Sequence, residues 1–177
     1  PAALVDNSQR ITLSLTETNK DKETPLIKAC QLEKPKIVNA ILCQAKAQDI
    51  AINAKDEYGR TAFIWACRNG LTAIVAMMLE MAQEVKIDLN AKDYLKTTGF
   101  IWACYYKNSE VINLLLAKAE SLQIDLQAKD DYGRSGFIWA CENGWTASVA
   151  MMLETAQEVK IDLNAKDYSK RTGFIWA

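Results

Sequence analysis

Along this chain, short apolar segments alternate with polar, turn-forming ones at a regular interval. The segment Thr24-Pro-Leu-Ile-Lys-Ala-Cys30 returns as Thr61-Ala-Phe-Ile-Trp-Ala-Cys67, Thr98-Gly-Phe-Ile-Trp-Ala-Cys104, Ser135-Gly-Phe-Ile-Trp-Ala-Cys141 and Thr172-Gly-Phe-Ile-Trp-Ala177, each start 37 residues after the last. A fixed period of this size marks a stack of repeated supersecondary units. At the head of each unit, Thr or Ser can cap a helix, and Asn69-Gly70 or Asn143-Gly144 can end it, because glycine enters the left-handed conformation without strain. Thr72 and Thr146 are then expected to cap a second helix, whose Ile74, Val75, Met77, Met78 and Leu79 fall on one face. Ile87-Asp-Leu-Asn-Ala-Lys-Asp93 and its copies read as an extended stretch, running in two units into the tight turn Asp-x-Tyr-Gly-Arg. Helix, turn, helix and finger are predicted, and such a short pair buries its apolar face only by stacking on its neighbours.

The motifs divide one repeat domain, residues 1–177, into a partial unit (1–23), four full units (24–60, 61–97, 98–134 and 135–171) and a truncated fifth start (172–177). Residues 68–103 reappear as 142–177 with six differences, so a two-unit block is duplicated. Among the differences, Leu71 against Trp145 adds volume and Ile74 against Ser148 removes it on the same helix, which suggests compensating packing.

Thr24-Pro25-Leu26, Asp56 to Thr61 with Gly59, Asp130 to Ser135 with Gly133, and Asp88-Leu89-Asn90-Ala91 resemble the ankyrin repeat pattern, in register over residues 13–177. The resemblance implies an all-α repeat solenoid of stacked helix-turn-helix units with β-hairpin-like fingers, acting in protein binding. Departures are regular. Ile27, Ile64, Ile101, Ile138 and Ile175 stand at the family's histidine, exchanging a hydrogen bond for burial. Each unit exceeds the usual length of about 33 residues; the excess, at 81–86 and 155–160, is expected to lengthen the second helix by roughly a turn. Lys96 and Lys170 replace the turn glycine, so those fingers are expected to differ at the tip.

Composition removes most other chemistry. Half of the 177 residues are hydrophobic, enough for a core, and a net charge of -1 gives no field to attract nucleic acid. The longest mostly apolar run, Leu71 to Leu79, is far short of the roughly 20 residues of a membrane span, so no membrane insertion is expected. The chain opens on Pro1 with no targeting leader and stops inside a motif, as an excised piece of a longer protein would. There is no histidine, which removes Ser-His and Cys-His catalysis and histidine metal sites. The acidic pair Asp130-Asp131 falls on a finger, where aspartate is a turn former. Single glycines at the repeat spacing form no phosphate cradle. No catalytic, cofactor or metal site is expected, and the chain is read as no enzyme.

Cys30, Cys67, Cys104 and Cys141 sit at the repeat spacing, where free cysteine packs as a small apolar group. Units stack about 10 Å apart, beyond the roughly 7 Å between Cα atoms that a disulfide allows, which suits reduced thiols and an intracellular, cytoplasmic setting. Cys43, on the second helix of its unit, is read the same way. The tryptophans at 65, 102, 139 and 176 either fill the seams between units or line the concave side, and their apolar bulk favours the seams.

Binding residues are sought where near-identical units differ, because fixed positions hold the stack. Those positions select Tyr58, Arg60, Arg68, Tyr94, Lys96, Tyr105, Tyr106, Tyr132, Arg134, Glu142 and Trp145, rich in the residue types that become interface hot spots. The resemblance places the fingers and the exposed side of the first helix on the concave recognition surface. The partner is another protein, identity open. The alternatives are a structural element that self-assembles head to tail through the uncapped Phe174, Ile175 and Trp176, or a fragment of a larger ankyrin repeat protein. By the same resemblance, Asn53, Asn90 and Asn164 occupy a position hydroxylated in some ankyrin repeats; Gln127 interrupts the series, and a structural role in capping the finger is preferred.

Overall fold

The computed structural model describes residues 15, 17–45 and 50–175. Among the described residues eight helices follow in pairs: α1 (Pro25–Gln31), α2 (Pro35–Ala45), α3 (Ala62–Arg68), α4 (Thr72–Met81), α5 (Gly99–Tyr105), α6 (Ser109–Lys118), α7 (Gly136–Glu142) and α8 (Thr146–Thr155), with a 3-10 turn at Gly173–Ile175. The first helices α1, α3, α5 and α7 pack successively into one layer, and α2, α4, α6 and α8 into the other. This is the all-α solenoid expected from the period. Among the described residues the fingers form turns, with a single isolated bridge between Lys166 and Thr172.

Each first helix starts where the sequence places it. The Thr24, Thr61, Thr98 and Ser135 side chains accept from the backbone N–H three residues on, at 3.3, 3.3, 3.3 and 3.4 Å, satisfying a donor the helix itself leaves free. Between them run Phe63, Phe100 and Phe137, all buried, beside the cysteines. Glycine at 136 is a packing requirement, since a Cβ there would stand 2.6 Å from Phe100 Cε1 and 2.9 Å from Cys104 Sγ. The thiols therefore lie inside the seams. Burial pushes the Cys30 thiol up to about 12 and that of Cys141 to about 11, and raises those of Cys67 and Cys104 as well. Cys43 departs from the expectation: it is exposed on α2, while Cys30 is buried.

The second helices differ from expectation at both ends. Leu71, Asn108 and Trp145 hold the N-cap positions without a side-chain capping bond, and Thr72 turns its hydroxyl to the Gly70 carbonyl at 3.3 Å. Asn108 serves the stack instead, donating to the Cys67 and Arg68 carbonyls at 2.8 and 2.9 Å. The extra residues do not extend the helix. α4 ends at Met81, and the following turn closes through Ile87 N–H to the Ala82 carbonyl at 2.9 Å, with Lys86 left-handed at φ 55. A backbone that reverses there returns the chain to the next finger, which a longer helix would overshoot.

Candidate functional site: the finger face of the first helices

One aspartate organises each finger after the first. Asp93 Oδ1 accepts from the N–H groups of Leu95 and Thr97, both at 2.9 Å, and Asp56 and Asp130 do the same for residues 58 and 60 and for 132 and 134. The second oxygen takes the indole N–H nine residues on: Trp65 to Asp56 at 2.7 Å, Trp102 to Asp93 at 2.8 Å and Trp139 to Asp130 at 2.8 Å. The tryptophans thus clamp fingers to first helices, a role beyond the filling of seams. The Asp-to-Trp interval was legible in the sequence as an invariant spacing, but neither residue drew notice as half of a pair. Trp176 lies outside the described residues.

Because the carboxylate dictates the turn, Lys96 and Lys170 adopt the same left-handed conformation (φ 56 and 62) as Gly59 and Gly133 (φ 77 and 74). The expectation of different tips fails for this reason. What changes is the neighbour. Tyr94 rests on Gly59, where a Cβ would lie 2.6 Å from its ring, and Tyr168 rests on Gly133 in the same way. Lys96 meets Asp131 instead, Nζ to Oδ1 at 2.8 Å. Glycine against tyrosine alternates with lysine against acid, which gives the two-unit duplication a physical meaning.

The asparagines bracket successive units. Asn53 donates to the Lys86 carbonyl and accepts from Asp88 N–H, each at 2.8 Å, and Asn90 repeats this with Gln123 and Asp125 at 2.9 and 2.8 Å. Gln127 reaches the Lys160 carbonyl by its longer side chain. Their job is structural, as expected, but it ties one unit to the next and does not cap a single finger.

Of the residues singled out by sequence variation, Tyr105, Tyr106, Tyr132 and Arg134 come together. With Leu95, Thr97, Ile101, Trp102, Asp130 and Trp139 they line a cleft of about 250 Å³. Tyr105 stands edge-on to Trp139 at 4.6 Å between centroids and to Tyr106 at 4.9 Å. Arg134 lies 3.5 Å over the Trp139 ring and pairs with Glu142 at 3.0 Å. One seam earlier, Arg60 spans Tyr58, Trp65 and Trp102 at 4.8, 5.1 and 5.4 Å. Arg68 spans Trp65 and Trp102 at 5.1 and 5.5 Å and donates to the Tyr106 hydroxyl at 2.9 Å.

Others stand apart. Tyr58 and Tyr94 project from separate tips, 53% and 65% exposed. Trp145 is half-buried at the start of α8 with the Lys107 ammonium 4.7 Å over its ring. Phe174 and Ile175 are exposed, Phe174 meeting Phe137 edge-on at 5.7 Å. Leu95 and Thr97 were missed, since neither is a residue type that attracts attention alone. Among the described residues no group of three or more His, Cys, Asp or Glu could hold a metal ion, and no helix is long and apolar enough to cross a membrane.

Comparison with curated proteins returns no match. A family model described as ankyrin repeats, three copies, matches residues 2–93, just over half of the chain. Paired helices at a fixed period, hydroxyl-capped first helices and aspartate-held fingers continue beyond that match to the fourth unit; the chain belongs to the ankyrin repeat family.

Proposed function

We propose that this chain is a non-catalytic scaffold that binds a partner protein through its finger tips and the concave face of α1, α3, α5 and α7. Ankyrin repeats generally mediate protein–protein interaction. The observation that carries the finer reading is the gathering of exposed Tyr58, Tyr94, Tyr105, Tyr106 and Tyr132, with Arg60, Arg68 and Arg134, on that one face. Rigid aromatic side chains lose little entropy when covered, and arginine adds directed hydrogen bonds, the combination that dominates interface energetics. A partner retained by the intact chain should be released by the triple change Tyr105→Ala, Tyr106→Ala and Tyr132→Ala with the circular dichroism unaltered. Retention at full strength refutes the reading.

Self-assembly through Phe174 and Ile175 rests on their exposure, 50% and 63%. Stacking in register opposes it, because the finger position that meets Lys96 as Asp131 is Lys20 in the first finger. A second copy would set Lys20 against Lys170, like charge on like charge. Light scattering over a wide concentration range should give a constant mass of 19.8 kDa for the scaffold, and a rising mass for the assembling element.

A further inference from the structure

Two neighbouring seams of the finger face differ in what fills the gap between their tryptophans. Between Trp65 and Trp102 lie two guanidinium groups: Arg60, whose Nε stands 3.8 Å from Asp93 Oδ2, and Arg68. Between Trp102 and Trp139 the equivalent positions are Thr97 and Tyr105. Thr97 is too short to span the rings, and its hydroxyl reaches only the Leu95 carbonyl at 3.3 Å. The room taken by Arg60 in one seam is the cleft of about 250 Å³ in the other.

The charges differ in the same sense. The cleft wall carries Asp130, with Glu142 beside it, and Arg134 answers both, Nε 3.6 Å from Asp130 and Nη1 3.0 Å from Glu142. Two carboxylates face one guanidinium, which leaves one negative charge uncompensated. In the preceding seam Arg60 stands beside Asp93, and Arg68 adds a second guanidinium over the same rings. The open seam therefore holds one guanidinium where its neighbour holds two, and the neighbour displays how the second sits.

Resting on the concave-face reading above, we propose that this cleft seats an arginine side chain of the partner protein, its guanidinium against Trp102, beside the Arg134 that already covers Trp139, and drawn to the Asp130 and Glu142 carboxylates. A planar guanidinium is attracted to indole faces and still offers its edge donors to carboxylates. A lysine ammonium cannot stack. An uncharged ring leaves the negative charge unanswered.

The test pans a random peptide library displayed on phage against the intact chain and against Thr97→Arg, which rebuilds the Arg60 arrangement in the open seam. Glu142→Gln, at a half-buried position, is the second variant, with circular dichroism as the fold control. Peptides selected by the intact chain and lost on Thr97→Arg should share an arginine. Their synthetic, fluorescein-labelled forms should bind about tenfold more weakly to Glu142→Gln or after arginine-to-lysine exchange in the peptide. Peptides lost on Thr97→Arg but lacking arginine overturn the occupant and leave the concave-face reading intact. Peptides insensitive to Thr97→Arg but lost on Tyr58→Ala or Tyr94→Ala overturn the cleft alone. Peptides insensitive to all these variants, or no selection at all, overturn both.

Discussion

Asp93→Asn isolates the clamp between finger and first helix. The amide oxygen can keep the Oδ1 bonds to Leu95 and Thr97, as Asn19 does in the first finger by accepting from Asp21 and Glu23 N–H groups at 2.9 Å. The amide nitrogen then replaces Oδ2 and points a donor at the Trp102 indole N–H, now 2.8 Å from its acceptor. A hydrogen bond to a buried charged group contributes about 1.5–3 kcal/mol, and the stranded indole N–H adds its desolvation cost, so a loss of about 2–4 kcal/mol is expected. Trp102→Phe removes the same bond from the other side. In that background Asp93→Asn should cost about 1–2 kcal/mol less, because no indole donor is left to orphan. Urea denaturation of the four proteins by far-ultraviolet circular dichroism measures this coupling. Repeat arrays can unfold unit by unit, so hydrogen exchange at the Leu95 and Thr97 amides supplies a local readout. Additivity within about 0.5 kcal/mol would refute the clamp and leave Trp102 as packing alone.

Gly59→Ala should destabilise by about 1 kcal/mol or more, because φ is 77 and the new methyl would press on Tyr94; thermal unfolding measures it, and Lys96→Gly should shift the transition little by comparison. Asn90→Ala removes bonds to Gln123 and Asp125 in the next unit and is expected to cost about 1–2 kcal/mol in urea denaturation. A thiol reagent at neutral pH should label exposed Cys43 at once and reach Cys30, Cys67, Cys104 and Cys141 only as the chain unfolds. Their raised values also fix a pH trend. From the ordinary thiol value of 9.0 up to about 12 for Cys30, the folded chain holds protons that the unfolded chain releases, so stability is full below that window and falls through it as pH rises; alkaline titration followed by circular dichroism checks the sign.

The repeat, its paired helices and the Thr caps were legible in the sequence because each depends on near neighbours. A hydroxyl reaches the amide three residues on, and a 3.6-residue periodicity sets a buried face, whatever lies beyond. The turn at Lys86 was read as helix because its decisive bond and left-handed residue leave no compositional mark. The lysine tips were misjudged for a related reason: glycine permits a left-handed turn, but a carboxylate that accepts two backbone donors can impose it on lysine. Comparing units picks out the tyrosines and arginines of the finger face, yet it does not show the cleft. A cleft depends on what is missing between two rings brought together from separate units, and only stacking reveals that Thr97 leaves open what Arg60 fills. Local chemistry decided the elements, and the tertiary structure decided which of their differences became a surface.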